Sequence, residues 1–406
     1  MTDWDYLLNL SKRLCEIGKK HEELPNCDSV EQFKSFFSED GILQNLDVLD
    51  GSLTRREVLA RYLLVNCVLD QGPDPKGVRL LLANVTTELY SHEIRIFHNP
   101  VSFFKEVGIS IDTILDKHKS IKDLRAKDWA INNKTKEDKY ILFFTNSARG
   151  IISINQILDY SVHRWGTPLM VPYILERDLL KKDSDIKNAL VEHIESYESA
   201  EKMSSGIKDD NRYGLGSAIG DKACHLFTKY YVSRYKLVKS KKNDKGWTDL
   251  SYEVPFDSNA GRVLLRTGFL TSFAPIDFYE DRKALIKGEG KGGLTYLRVT
   301  NLRGIKISDT NSNSIYFQDY KDLVINYLKV NKNPKSMEIQ RIPNLLLMEL
   351  KKRNVNYSIA DFDDGLMYIG TTYCFNTDEP KCEFCDLNDI CKANLGNKNL
   401  ITDFRT

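Results

Sequence analysis

Ser217-Ala218-Ile219-Gly220-Asp221-Lys222-Ala223-Cys224-His225-Leu226-Phe227 follows Gly214-Leu215-Gly216 and opens a helix expected over about Asp221 to Val238. A tight turn of small residues around one apolar residue, running straight into a helix, presents backbone N–H groups at the helix start. The aligned peptide dipoles favour an anion there. The segment reads as a phosphate-contacting turn, with Ser217, Ile219 and Gly220 as the contacts and Lys222 in the first helical turn. Taken alone it reads more readily as an ordinary turn between two helices.

Two further stretches lie downstream. Val254-Pro255-Phe256-Asp257-Ser258-Asn259-Ala260-Gly261-Arg262-Val263-Leu264-Leu265-Arg266-Thr267-Gly268 puts Asp257 at a helix start, an N-cap position for an Asp. Of eight cysteines, Cys15, Cys27, Cys67 and Cys224 are scattered, while Cys374, Cys382, Cys385 and Cys391 are spaced x7, x2 and x5. A local cluster of soft thiolates in a chain with no apparent signal peptide argues for a metal rather than a disulfide framework. Zinc and an iron–sulfur cluster both accept four cysteines. The single C-x2-C and the short span favour one [4Fe–4S] cluster over the paired knuckles usual for zinc. Lys381 and Lys392 flank this loop and could face phosphates.

Taken in order, these segments resemble the helix-hairpin-helix DNA glycosylases, in particular the iron–sulfur branch that includes endonuclease III. That family carries a hairpin L-P-G-V-G-x-K-x-A, then V-D-T-H-x-x-R-x-x-x-R-x-G, then C-x6-C-x2-C-x5-C. This chain offers Ala218-Ile219-Gly220-Asp221-Lys222-Ala223, then Phe256-Asp257-Ser258-Asn259 with Arg262, Arg266 and Gly268 in register, then the four cysteines with one extra residue in the first gap. Upstream, Leu63 to Asp74 is similar to the family's L-L-S-x-Q-T-x-D, whose Gln enters the duplex, and Gln71 is the candidate for that part. Departures are Asn259 where the family has His, Ala218 for the first hairpin Gly, a longer gap between Lys222 and Asp257, and an insertion over 91–205.

The resemblance implies a mainly α, two-lobed fold with a C-terminal iron–sulfur loop. Residues 54–245 would form a barrel-like helical domain, and 1–53 would return to pack with 246–406. It implies Asp257 as the carboxylate that stabilises positive charge on the sugar, and Lys222 either as a Schiff-base nucleophile or as a phosphate contact. Cys374, Cys382, Cys385 and Cys391 would ligate the cluster. The implied partner is double-stranded DNA met by a monomeric, cytoplasmic protein. The substrate would be a damaged or modified base, removed in repair or in defence against foreign DNA.

Composition is permissive. With 58 basic and 57 acidic side chains, 41% hydrophobic and 28% charged residues, the chain is neither collagen-like, disordered nor uniformly basic. It has no apolar run of the length of a membrane span. Basic residues concentrate at Lys236, Lys239, Lys241, Lys242 and Lys245, with Lys241 and Lys242 the candidate phosphate contacts of an exposed loop. Tyr160, His163 and Trp165 are candidate pocket walls within the insertion.

Periodicity predicts helices over 4–20, over a short stretch opened by a Ser29/Gln32 capping box, from Thr54/Glu57 through Leu69, and from Pro75 to about Tyr90. It also predicts helices over 147–165, 184–203 and 344–354, and a strand over Leu294 to Val299. Two rival functions fit the same residues: an inert DNA-binding iron–sulfur module, and a glycosidase acting on nucleosides or RNA.

Overall fold

Helices dominate the computed structural model, which describes residues 3–70, 75–117, 166–176, 188–211, 214–215, 220–243, 246–273, 276–281, 285–289, 295–299, 341–375 and 380–394. In chain order they are α1 (Asp3–Lys20), a short ladder of β1 (Leu49–Asp50) and β2 (Leu53–Thr54), α2 (Arg55–Leu69), α3 (Pro75–Ser91), α4 (Pro100–Glu106), α5 (Ile111–Lys117) and α6 (166–176). There follow α7 (Ala189–Ile194), α8 (Ala200–Asp209), α9 (Asp221–Lys229), α10 (Ser258–Arg266) and α11 (Ile276–Asp281). An antiparallel pair, β3 (Leu285–Glu289) and β4 (Thr295–Val299), precedes α12 (Ile342–Lys352) and α13 (Ile359–Thr372). Among the described residues no helix is long and apolar enough to cross a membrane.

The chain divides into two units, one of residues 24–247 and one of residues 1–23 with 248–406. The sequence placed this boundary near residue 54. It falls at 24 because Cys27, Val30, Phe33 and Phe36 are buried, and the Phe33 ring meets Tyr62 of α2 edge-on at 5.7 Å and Tyr90 of α3 at 5.9 Å. Residues 24–53 therefore belong to the same core as α2 and α3.

In the 24–247 unit, α2 is buried on every side. Thr54 caps it by accepting from the Glu57 amide at 3.3 Å, as the sequence predicts. The Glu57 carboxylate does not complete the box. It accepts from the amides of Leu190 and Val191 at 3.0 and 2.9 Å, so it caps α7 instead, and from Arg61 Nε at 2.8 Å. Exposed amides at a helix start favour a carboxylate, which is why a fully buried Glu is tolerated there.

Some expected helices differ. Ser29 and Gln32 form no capping box; two 3-10 turns, Cys27–Ser29 and Glu31–Phe36, occupy that segment, the second preceded by Val30. The stretch expected to be one helix over 184–203 is broken over 195–199. Ser199 starts α8 by accepting from the Lys202 amide, and Gly206 lies inside α8 rather than closing it. Residues 166–176 are helical although Gly166 and Pro168 suggest a stop there. The helix from Asp221 ends as a π turn over Tyr230–Arg234, short of Val238. The predictions for 147–165 and for Tyr160, His163 and Trp165 lie outside the described residues.

In the other unit, α1 packs along α13 and α12, burying Leu7, Leu10 and Leu14 completely. Each such side chain contributes about 1.5–3 kcal/mol when taken from water. The α1–α13 crossing is backbone to backbone. A Cβ on Gly18 would overlap the Asp361 carbonyl, and one on Gly365 would overlap the Leu14 carbonyl. Helix α13 starts with a full capping box, Ser358 with Asp361, and packs its far end on α10, where Gly370 lies against Asn259 and Val263.

Candidate functional site

The site residues of the 248–406 part are organised by α10. Asp257 is its N-cap, with extended backbone, and one carboxylate oxygen accepts from the amides of Asn259 at 2.8 Å and Ala260 at 3.0 Å. One turn on, Arg262 is buried, and its guanidinium donates to Asn259 Oδ1 at 2.7 Å, to the Gly370 carbonyl at 2.8 Å and to the Cys374 carbonyl. Burial pulls the Arg262 pKa down, while the nearby Cys374 and Asp257 charges oppose that shift. A further turn on, Arg266 donates to Cys374 Sγ at 3.2 Å and to the Phe375 carbonyl at 3.0 Å.

Spacing explains why both arginines reach the same loop: positions four apart share one helix face. Gly268 then ends the helix with φ +83°, a conformation that suits glycine, and the stem of Lys392 packs over it.

Cys374, Cys382, Cys385 and Cys391 all line one cavity of about 410 Å³, its open mouth included, whose apolar walls include Val263, Ile369 and Leu387. Cys374 follows α13; Cys382 opens a 3-10 turn, and Cys385 follows that turn, with its amide donating to the Cys382 carbonyl at 3.2 Å. Burial pushes the Cys385 thiol up to about 12, and the other three sulfurs reinforce that shift. Cys382 and Cys391 are raised for the same first reason, burial; Arg266 opposes it at Cys382, and the amides of Asn394 and Ala393 oppose it at Cys391.

These thiols need a cation to become ligands. Among the described residues no three His, Cys, Asp or Glu side chains converge as they would on a single metal ion. A tetrahedral zinc requires four sulfurs at about 2.3 Å from one centre. Four thiols lining one cavity are a soft donor set that either zinc or an iron–sulfur cluster takes.

The loop does not use both of its flanking lysines as expected. Lys392 is turned inward, with its ammonium 4.4 Å from the centre of the Tyr6 ring and 3.3 Å from Ser272 Oγ. Of the two lysines, Lys381 is the exposed one.

The remaining candidates belong to the 24–247 unit. Helices α8 and α9 pack together and are tied by Lys208 and Asp221 at 2.7 Å. Gly220 is the N-cap of α9, and among the described residues a Cβ there would meet nothing within 4 Å. Lys222 stands half-buried in the first turn of α9. Lys241 and Lys242 lie on a 3-10 turn, Ser240–Lys242, with Lys241 exposed and Lys242 half-buried. Ser217, Ile219 and Gln71 lie outside the described residues. Just before Gln71, Asp70 is buried and paired with Arg79 at 2.8 Å.

Sequence reasoning registered Arg262 and Arg266 only as part of a motif and missed what they hold. Their spacing of four was the available signal; their target, 112 residues away for Arg262, was not visible. Compared with known proteins, the chain matches no family model, no curated protein and no solved structure.

Proposed function

We propose that the protein is a DNA N-glycosylase that extrudes a damaged or modified base and cleaves its glycosidic bond. The observation that carries this reading is the link from Asp257, through Asn259, Arg262 and Arg266 of one helix, to a loop of four cysteines around one cavity. A carboxylate fixed by two backbone amides is pre-oriented. Cleaving the bond builds positive charge on the sugar, and a fixed anion stabilises that charge without reorganising. The base must leave the stack to be reached.

Cys374, Cys382, Cys385 and Cys391 would hold a [4Fe–4S] cluster, whose contribution when bound is to cross-link the loop. Arg266 then orients Cys374 by its hydrogen bond to the sulfur. In this reading Gly220 and the first amides of α9 meet a phosphate, and Lys241 and Lys242 add cations that hold the backbone of a bent duplex. Lys222 has two possible roles. As a nucleophile it attacks the sugar carbon, displaces the base and gives a Schiff base. As a phosphate contact it leaves the attack to water.

The test is base release from duplexes carrying a panel of lesions and natural modifications. Asp257→Asn keeps the shape and removes the charge. It is expected to abolish release and retain DNA binding; full activity in this variant would overturn the reading. Lys222→Gln separates the mechanisms. Loss of a borohydride-trapped adduct assigns the nucleophile to Lys222. Retained abasic product with weaker, more salt-sensitive binding assigns it to phosphate contact.

A further inference from the structure

Cys385 and Cys391 stand in a stretch with little core of its own: over residues 380–394 only Leu387 and Ala393 are buried. Its turns are closed internally, the Asn388 amide donating to the Cys385 carbonyl at 2.9 Å and the Cys391 amide to the Leu387 carbonyl at 2.8 Å. It is gripped from outside at the Arg266 carbonyl, which accepts from the Ala393 amide at 3.1 Å, and by the N-terminal helix. Arg13 of α1 pairs with the Asp389 carboxylate at 3.2 Å and donates to the Asp386 carbonyl at 2.6 Å, so it holds the chain between the two cysteines. Two turns earlier, on the same face of α1, the Tyr6 ring centre lies 4.4 Å from the ammonium of Lys392, the residue after Cys391. The Tyr6 hydroxyl donates to the Thr267 carbonyl, beside the Gly268 over which the Lys392 stem packs.

These contacts add little to α1, which Leu7, Leu10 and Leu14 already seat by burial. Their effect falls on the loop. Four thiols keep a metal only while their backbone holds them together, so metal loss requires the loop to open. A stretch poor in apolar anchors opens easily unless something outside it holds it shut. We propose that Tyr6 and Arg13 are positioning residues of the metal centre: they hold the stretch that carries Cys385 and Cys391, so that the residence of the metal depends on the N-terminal helix. The proposal rests on the metal reading of the four cysteines. It applies to zinc and to an iron–sulfur cluster alike, and it does not require glycosylase activity.

The test compares the full chain with Arg13→Met, which keeps the stem and removes the charge, and with Tyr6→Leu, which removes the ring face. Each protein is purified without oxygen, its iron, sulfide and zinc are counted, and loss of the bound metal to excess chelator is timed. Each variant is expected to lose metal about fivefold faster, and the two changes together about tenfold faster or more. Melting supplies a readout that a mere brace would not give. Metal-loaded Arg13→Met should melt lower than the parent, whereas the two metal-free proteins should melt alike, because the released loop no longer engages α1. The exchanged pair Arg13→Asp with Asp389→Arg should recover part of the lost retention, and serves if Tyr6→Leu melts early. Bound metal with an unchanged rate of loss, or an equal drop in melting with and without metal, would overturn this proposal alone. A chain that binds neither iron nor zinc would overturn the metal reading, and this proposal with it.

Discussion

Arg266 is the residue on which the cysteine loop most visibly depends, because one buried guanidinium serves both a cysteine sulfur and a loop carbonyl. Arg266→Leu keeps the volume and removes both bonds. Hydrogen bonds to charged groups are worth about 1.5–3 kcal/mol, and a loss of that size is expected in thermal or urea unfolding. If the loop carries the proposed cluster, iron should also be retained less well during gel filtration; unchanged melting would refute the role. His98 offers a second test. Its ring is held between Asp50 Oδ2 at 2.8 Å and the Tyr90 hydroxyl at 2.7 Å, with Arg95 beside it. Burial lowers its pKa despite the Asp50 charge, and His193 shifts the same way. A base whose folded pKa is depressed binds fewer protons folded than unfolded. Stability is then full above the unfolded value of about 6.5 and is lost as pH falls through the folded value. The melting temperature should drop from pH 7 to pH 5, and His98→Gln should flatten that slope. Equal slopes in the two proteins would count against burial of a neutral ring. At this scale the sequence was informative wherever chemistry is local. Asp257 and Thr54 sit where N-caps must sit, and the cysteine spacing alone brought four thiols to one cavity. The partners of Arg262 and Arg266 were invisible because they lie across the fold.

Between elements, the tightest joint is the crossing of α1 and α13 through Gly18 and Gly365. Gly18→Ala gains helix propensity locally, about 1 kcal/mol in isolation. The added methyl would overlap the Asp361 carbonyl and the Gly365 amide, all backbone, so the helices must separate, and a net loss of about 1–3 kcal/mol is expected in chemical unfolding. A more stable Gly18→Ala protein would show that the crossing is looser than described. The element scale is also where sequence reading failed in instructive ways. The stretch 184–203 is periodic enough for one helix, yet it breaks at Glu195, whose carboxylate accepts from the Tyr231 hydroxyl at 2.6 Å and from the Lys239 amide at 3.3 Å. Tertiary partners overrode local preference. Helix α13 was passed over although Ile359, Phe362, Leu366 and Ile369 keep helical spacing behind a Ser358/Asp361 box. Three acids within it, Asp361, Asp363 and Asp364, mask an apolar stripe because in this fold they are themselves buried. Base composition cannot foretell a buried carboxylate; only its partners can.

At the scale of the whole molecule one unit interrupts the other along the sequence: residues 1–23 share a unit with 248–406, and 24–247 form a unit of their own. Truncation tests this directly. A chain ending before residue 359 lacks the main partner of α1 and should expose the Leu7, Leu10 and Leu14 stripe, binding a hydrophobic dye and aggregating, while its 24–247 part keeps a cooperative melt. A soluble, dye-silent truncation would mean that α1 does not need α13. The same topology carries a consequence for synthesis. Helix α13 is made some 339 residues after Lys20 of α1. At about 5–20 residues per second that interval is on the order of 17–70 s. Throughout it the apolar stripe of α1 lacks its partner, so the nascent chain has a built-in need to have that stripe shielded. A bulky insertion between α1 and α13 would lengthen the wait, and one at α1 itself would foul the closure.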